Sequence, residues 1–220
     1  MNWTRNAKGL CSMSKLKILL VDDHSVVRAG VRRLLESIQG TEILEAETGH
    51  ETLSLFRSKE PDLVLLDLNM EGVGGLELLR RLLLEDKRAR VVVFTMHSEP
   101  IYAARALKLG AKGYVTKSAS ADELVAAVKQ VADGGHYIEA ELASKLAIGQ
   151  FDGEDPLHQL STREVEILRL LGDGKSLTAI AETLGVSYKT VANTCSLIKN
   201  KLGLQRTADL IRVSLEHLHN

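Results

Sequence analysis

The sequence predicts an α/β domain built on a five-stranded parallel sheet, followed by an all-α domain of four helices. Three observations carry that reading. Residues 15–135 alternate five times between a short apolar run and a helical pattern, the signature of consecutive βα units. The run Leu63-Val64-Leu65-Leu66 is apolar at every position, as a parallel strand covered on both faces requires. From Leu160 onward only helical periodicity remains.

In chain order, the first predicted strand is Lys17–Val21. A helix over Ser25–Ser37 places Val26, Val27, Gly30, Val31, Leu34 and Leu35 on or near one face. Thr41–Ala46 is the second strand and His50–Ser58 the second helix. The third strand runs up to Asp67, and Gly72, Gly74 and Gly75 then turn the chain into a helix over Gly75–Glu85. Arg90–Thr95 is the fourth strand, and a helix from Ile101 ends on Gly110 as its C-cap. Gly113–Thr116 is the fifth strand, and Ala121–Ala132 is a helix stopped by Gly134-Gly135. Five such units favour the flavodoxin-like strand order 2-1-3-4-5, with helices on both faces.

Residues 136–156 read as a linker. A short helix over Glu139–Ile148 precedes a polar stretch punctuated by Gly149, Gly153 and Pro156. The second domain is assigned to residues 157–220. Ser161 with Glu164 makes a capping box. Helices over Glu164–Leu171 and Leu177–Leu184 follow. A third runs from the N-cap Ser187 to Leu202, and a fourth covers Ala208–His217. Ala181, Gly185 and Val191 have the spacing of a helix-turn-helix: a small residue for close approach, a glycine for the turn and a valine to plug the joint.

Composition sets outer bounds. Hydrophobic residues are 45% of the chain and aromatics 4%, which suits two aliphatic cores. The net charge of −1 excludes a general polyanion binder. Residues 1–156 hold 20 basic and 23 acidic side chains, and residues 157–220 hold 8 and 6, so the tail is the part that tolerates phosphates. Cys11 and Cys195 lack metal-ligand spacing and read as free thiols in a reducing cytoplasm. No run approaches the roughly 20 apolar residues of a membrane span. Residues 1–14 read as a disordered leader, with Met13 an alternative start.

The chemistry gathers at the ends of the strands. Asp22, Asp23, Asp67, Thr95 and Lys117 each fall at or just after a strand's C-terminal end, where open α/β sheets place their sites. Three carboxylates at one edge repel unless a cation joins them, and oxygen ligands favour Mg²⁺. The set fits phosphoryl transfer. Asp67 is the nucleophile, with Mg²⁺ on Asp22, Asp23 and the Asn69 backbone carbonyl. Lys117 and the Thr95 hydroxyl take the phosphoryl oxygens. Plainer readings stand beside these: Asp22 and Asp23 as helix caps, Lys117 as a surface lysine, Thr95 as a strand end, His97 as a solvated loop histidine. A hydrolase with an aspartyl nucleophile needs a second acid two residues on, where this chain has Asn69.

These residues resemble the receiver domain of two-component response regulators, and Tyr114 stands at that family's switch aromatic. Leu160-Ser161-Thr162-Arg163-Glu164 and Lys189-Thr190-Val191 resemble the LuxR-type helix-turn-helix. Over residues 15–218 the chain is similar to the NarL/FixJ class. The resemblance implies a phosphorylation-controlled DNA-binding transcriptional regulator that is no enzyme beyond its own phosphorylation and dephosphorylation. Its partners would be a sensor histidine kinase, double-stranded DNA and, once phosphorylated, a second copy. Thr95 and Tyr114 would form the switch; in this class the unphosphorylated receiver often covers the recognition helix, and closed and open forms both stand as alternatives for this chain. The sequence departs from the family at Glu71, where proline is common, and at Met96, where a small residue is common.

Candidate DNA contacts are Ser187, Tyr188, Lys189, Thr190, Asn193, Thr194 and Lys199. Lys189 and Lys199 are assigned to phosphates, or are ordinary solvated charges. Asn193 suits an adenine edge, a phosphate or the helix surface. Cys195 reads as a small helix residue. Leu210, Ile211, Val213 and Leu215 are candidates for a dimer surface. Because Ala192, Thr194 and Cys195 are uncharged where the family often carries basic residues or histidine, the alternative is a regulator acting mainly through protein–protein contacts.

Overall fold

The computed structural model describes residues 15–70, 74–147 and 156–218. Its sheet is parallel throughout. The strands β1 (Leu16–Val21), β2 (Thr41–Ala46), β3 (Leu63–Leu66), β4 (Val91–Thr95), β5 (Gly113–Thr116) and β6 (Tyr137–Ile138) lie in the order β2-β1-β3-β4-β5-β6. The five expected strands keep their expected order. The sheet is nevertheless six-stranded, because Tyr137 and Ile138 pair with Gly113 and Tyr114. The first residues assigned to the linker therefore belong to the sheet. Two residues carry no readable periodicity, and β6 covers ladder groups that β5 would otherwise expose at an edge.

The alternation of side chains along each strand divides the sheet's apolar surface. Ile18, Leu20, Leu65, Val92 and Val115 pack on one face against α1 (Ser25–Glu36) and α5 (Ala121–Ala132). Leu19, Val21, Val64, Leu66 and Val93 pack on the other, against α2 (Gly49–Lys59), α3 (Gly75–Glu85) and α4 (Pro100–Leu109). After β6, α6 (Ala140–Ala147) matches the short helix expected there. Residues 148–155 of the Gly/Pro-punctuated stretch, Glu71 and the leader with Cys11 and Met13 lie outside the described residues.

A 3-10 turn at Pro156–Gln159 leads into α7 (Thr162–Gly172), α8 (Leu177–Thr183), α9 (Tyr188–Leu202) and α10 (Thr207–Leu218). Ser161 and Glu164 close the capping box at α7. Gly185 turns the chain between α8 and α9 at φ +61, and Ala181 and Val191 are buried at the joint. The apolar core on the α3–α4 side continues into Leu157, Leu160 and Val165. One guanidinium nitrogen of Arg105, on α4, donates to the carbonyls of Leu157 and Leu160 at 2.8 and 2.7 Å.

Gly75 fixes how closely α3 begins beneath the β3 end. A Cβ there would lie 2.3 Å from the Leu68 Cα and 2.7 Å from the Asp67 carbonyl oxygen, both backbone atoms. Gly75→Ala is expected to lower stability by about 1–3 kcal/mol, the usual cost of overpacking. A urea midpoint equal to wild type would show that this backbone yields freely.

Candidate functional site

Strand register brings the predicted residues together. Val21 pairs with Leu66, and Thr95 with Thr116. Asp22, Asp67 and Lys117 therefore leave the sheet side by side. Backbone bonds hold them there: the Asp67 amide donates to Val21 at 2.9 Å and the Lys117 amide to Thr95 at 2.7 Å. The Lys117 ammonium donates to Asp22 Oδ2 and Asp67 Oδ2, each at 2.7 Å. All three side chains are more than nine-tenths buried.

Burial alone would lower the Lys117 pKa, but the bonds to Asp22 and Asp67 outweigh it and raise it, so the lysine stays charged. Asp22, Asp23, His24 and Asp67 each present a ligand atom within 4.8 Å of the others. Three carboxylates against one lysine leave two negative charges in excess, and a divalent cation cancels that excess. The oxygen-rich donor set fits a hard ion such as Mg²⁺.

Sequence reasoning missed two residues here. His24 Nδ1 lies 2.7 Å from Asp23 Oδ1 and 3.3 Å from Asp22 Oδ1. Its place directly after the acidic pair was the available signal. Arg28 is buried, donates to the Asp22 carbonyl at 2.8 Å and pairs with Glu45 and Glu47. It pins the end of β1, and no local pattern announces a buried arginine on α1.

The expectation of a solvated His97 is wrong. His97 is buried and stacks on Tyr102, with ring centroids 4.0 Å apart. Its carbonyl accepts the buried Tyr114 hydroxyl at 2.8 Å, and its amide lies 3.4 Å from Thr95 Oγ1. Helix α4 folds back over the loop and supplies the aromatic partner, a tertiary contact the sequence does not display. His97, Tyr102 and Leu68 share a small cavity with Glu166 of α7. The residues just past Asp67 and Thr95 thus border the same space as α7. Met96 instead projects outward, 66% exposed.

On α9, Val191, Cys195 and Ile198 face inward. Ser187 caps the helix by accepting from the Thr190 amide at 3.1 Å. Ser187, Tyr188, Lys189, Thr190 and Asn193 are exposed, so the receiver-like domain does not cover this face, which is the open arrangement. The contact between domains runs through α7 and the 3-10 turn instead. Thr194 is half-buried and donates to the Thr190 carbonyl at 2.8 Å, and Lys199 is half-buried. On α10, Leu210 and Val213 are internal and Ile211 is half-buried. Of the four residues expected at a dimer surface, only Leu215 is well exposed.

Known proteins match both halves. The response regulator receiver domain family matches residues 18–129, and the luxR family of bacterial regulatory proteins matches residues 158–214. Response regulator UvrY of Escherichia coli is 34% identical over 92% of this chain and 94% of its own length. Response regulator GacA of Pseudomonas aeruginosa is 36% identical over 92% and 96%. A structure of RcsB from Salmonella enterica serovar Typhimurium, bound to a promoter in the presence of a phosphomimetic, is similar with a TM-score of 0.68. Its identity is 25%, over 92% of this chain and all of that one. Among the described residues no helix is long and apolar enough to cross a membrane.

Proposed function

Since the chain belongs to the response regulators that join a receiver domain to a LuxR-type DNA-binding domain, we propose that Asp67 is its phosphoacceptor and controls the helical domain. The observation that carries this is the Lys117 ammonium set 2.7 Å from both Asp22 and Asp67 at the sheet edge. An Asp67 carboxylate oxygen attacks the phosphorus of a kinase phosphohistidine. The O–P bond forms as the N–P bond breaks, and the imidazole leaves with the electron pair. Lys117 exchanges its Asp67 contact for a phosphoryl oxygen, and Asp22 holds it in place. Asp22, Asp23 and Asp67, with the Asn69 carbonyl as a further ligand, would hold a Mg²⁺ ion, which would supply charge neutralisation. The same site accounts for self-phosphorylation from small donors and for self-dephosphorylation.

The switch follows from the contacts around His97. A phosphoryl oxygen takes the Thr95 hydroxyl, which moves the loop carrying His97. That loop holds the Tyr114 hydroxyl and touches the cavity shared with α7. Tyr114 is already buried, so its part is to hold or release the His97 carbonyl rather than to swing inward. The phosphorylated protein acts as a cytoplasmic homodimer on double-stranded DNA. Incubation with acetyl phosphate and Mg²⁺ should add one base-labile phosphoryl group to the peptide containing Asp67. A label mapped to any other peptide overturns the assignment.

On α9, Lys189 and Asn193 take different roles. Lys189 lies at the helix N-terminus, where free amides and the dipole favour a phosphate, while Asn193, one turn on, points into the groove. Lys189→Ala should weaken all duplexes alike and reduce the salt slope by about one unit. Asn193→Ala should cost about 1–3 kcal/mol on the preferred site and little on random DNA. A uniform loss for Asn193→Ala would move it to the backbone and leave Tyr188 as base reader, since the Thr194 hydroxyl is already engaged. If neither variant alters DNA binding, the regulator works mainly through protein–protein contacts, the reading favoured by the few cations on this face.

A further inference from the structure

A second charged site lies at the sheet edge opposite Asp67. A cavity of about 280 Å³ is walled by Lys87, Arg88, Arg90, Lys112 and His136, and no acidic residue lines it. Arg90 and Lys112 directly precede β4 and β5, and both are half-buried. The backbone fixes where they start: the Arg90 carbonyl accepts from Val64 and the Lys112 amide donates to Val91, each at 2.8 Å. Among the described residues, Lys87, Arg90 and Lys112 form no ion pair. Of the neighbouring acids, Asp86 accepts the Arg88 amide and lies 3.8 Å from its guanidinium, while Asp133 is exposed at the end of α5.

Cations beyond helix ends often serve only to complement helix dipoles. Here several last-turn carbonyls are already bonded. Gly110 and Ala111 donate to the last turn of α4, and Gly134 and Gly135 to that of α5. Half-buried charge without a counter-ion is costly, and an entering anion relieves that cost. We propose that this cavity binds a compact oligophosphate, an anion with two or more linked phosphoryl groups. Cations from two separate segments, residues 87–90 and Lys112, match more than one phosphate, arginine forks and lysine point charges suit phosphoryl oxygens, and the volume sits at the small end of ligand pockets. No aromatic ring other than His136 lines the cavity, so the recognised part is the phosphate chain rather than a base. A duplex would reach the exposed Lys87 and Arg88, whereas Arg90 and Lys112 favour a ligand that enters.

The test is calorimetric titration of the full chain with inorganic pyrophosphate in metal-free buffer at physiological salt. Orthophosphate and a random duplex serve as comparisons. One saturable pyrophosphate site is expected, at least tenfold tighter than orthophosphate. Arg90→Gln with Lys112→Gln should weaken it at least tenfold, and so should the exposed pair Lys87→Gln with Arg88→Gln, which spares the half-buried positions. Lys189→Gln on α9 should leave it unchanged. Absence of saturable binding overturns the proposal. So does an equal loss in Lys189→Gln, which would mark diffuse attraction, or a loss of duplex affinity in these variants without loss of pyrophosphate.

Discussion

Asp67→Asn is expected to abolish phosphoryl uptake from acetyl phosphate and Mg²⁺, leaving no base-labile mass gain above background. The amide offers no anionic oxygen to attack phosphorus, and Asp22, which shares the Lys117 ammonium, stays in place to hold that lysine. The same change removes one of three carboxylates from the cation cluster. A bound Mg²⁺ at a hundredfold excess over its dissociation constant would stabilise the wild type by about 2.7 kcal/mol. That increment should shrink in Asp67→Asn, and in Asp23→Ala, because each removes a charged oxygen ligand. Thermal melts with and without Mg²⁺ measure it. Equal labelling of the variant would place the phosphoacceptor elsewhere, and an undiminished Mg²⁺ effect would place the cation elsewhere.

Arg105→Ala is expected to uncouple the two domains. One guanidinium nitrogen bonds the carbonyls of both Leu157 and Leu160 in a largely apolar contact. Hydrogen bonds from a charged donor contribute about 1.5–3 kcal/mol each, and truncation also leaves the acceptors without that donor. Docking should therefore weaken by several kcal/mol, enough to change a mostly docked population into a mostly free one. Amide exchange in the 3-10 turn and α7 should accelerate in the variant. The DNA affinity difference between phosphorylated and unphosphorylated protein should also collapse. Unchanged exchange would mean that apolar burial alone holds the domains together. A retained affinity difference would mean that the signal does not pass through this contact.

Much of the site was legible because it depends on strand ends. Each of Asp22, Asp67, Thr95 and Lys117 follows an apolar run whose length and character mark a buried strand, and parallel register then aligns the ends. Ser161–Glu164 and Ala181–Gly185–Val191 were legible because capping and turn chemistry are local. What was not legible depends on contacts across the fold. β6 is two residues long and exists because β5 offers an edge. His97 reads as a loop residue until α4 places Tyr102 against it. Arg28 reads as one more surface charge until β2 presents Glu45 beside it. Arg105 has a role only because the second domain brings two carbonyls to it. The inward turn of Leu210 and Val213, which removes them from a dimer surface, likewise follows from α10 packing on α7.

The central claim is that Asp67 governs DNA binding by the helical domain. Genome-wide DNA occupancy, compared between the wild type and Asp67→Asn at matched protein levels, tests it most directly. The account predicts discrete sites in the wild type that are lost or strongly reduced in Asp67→Asn. Identical site sets and heights in the two strains would contradict it.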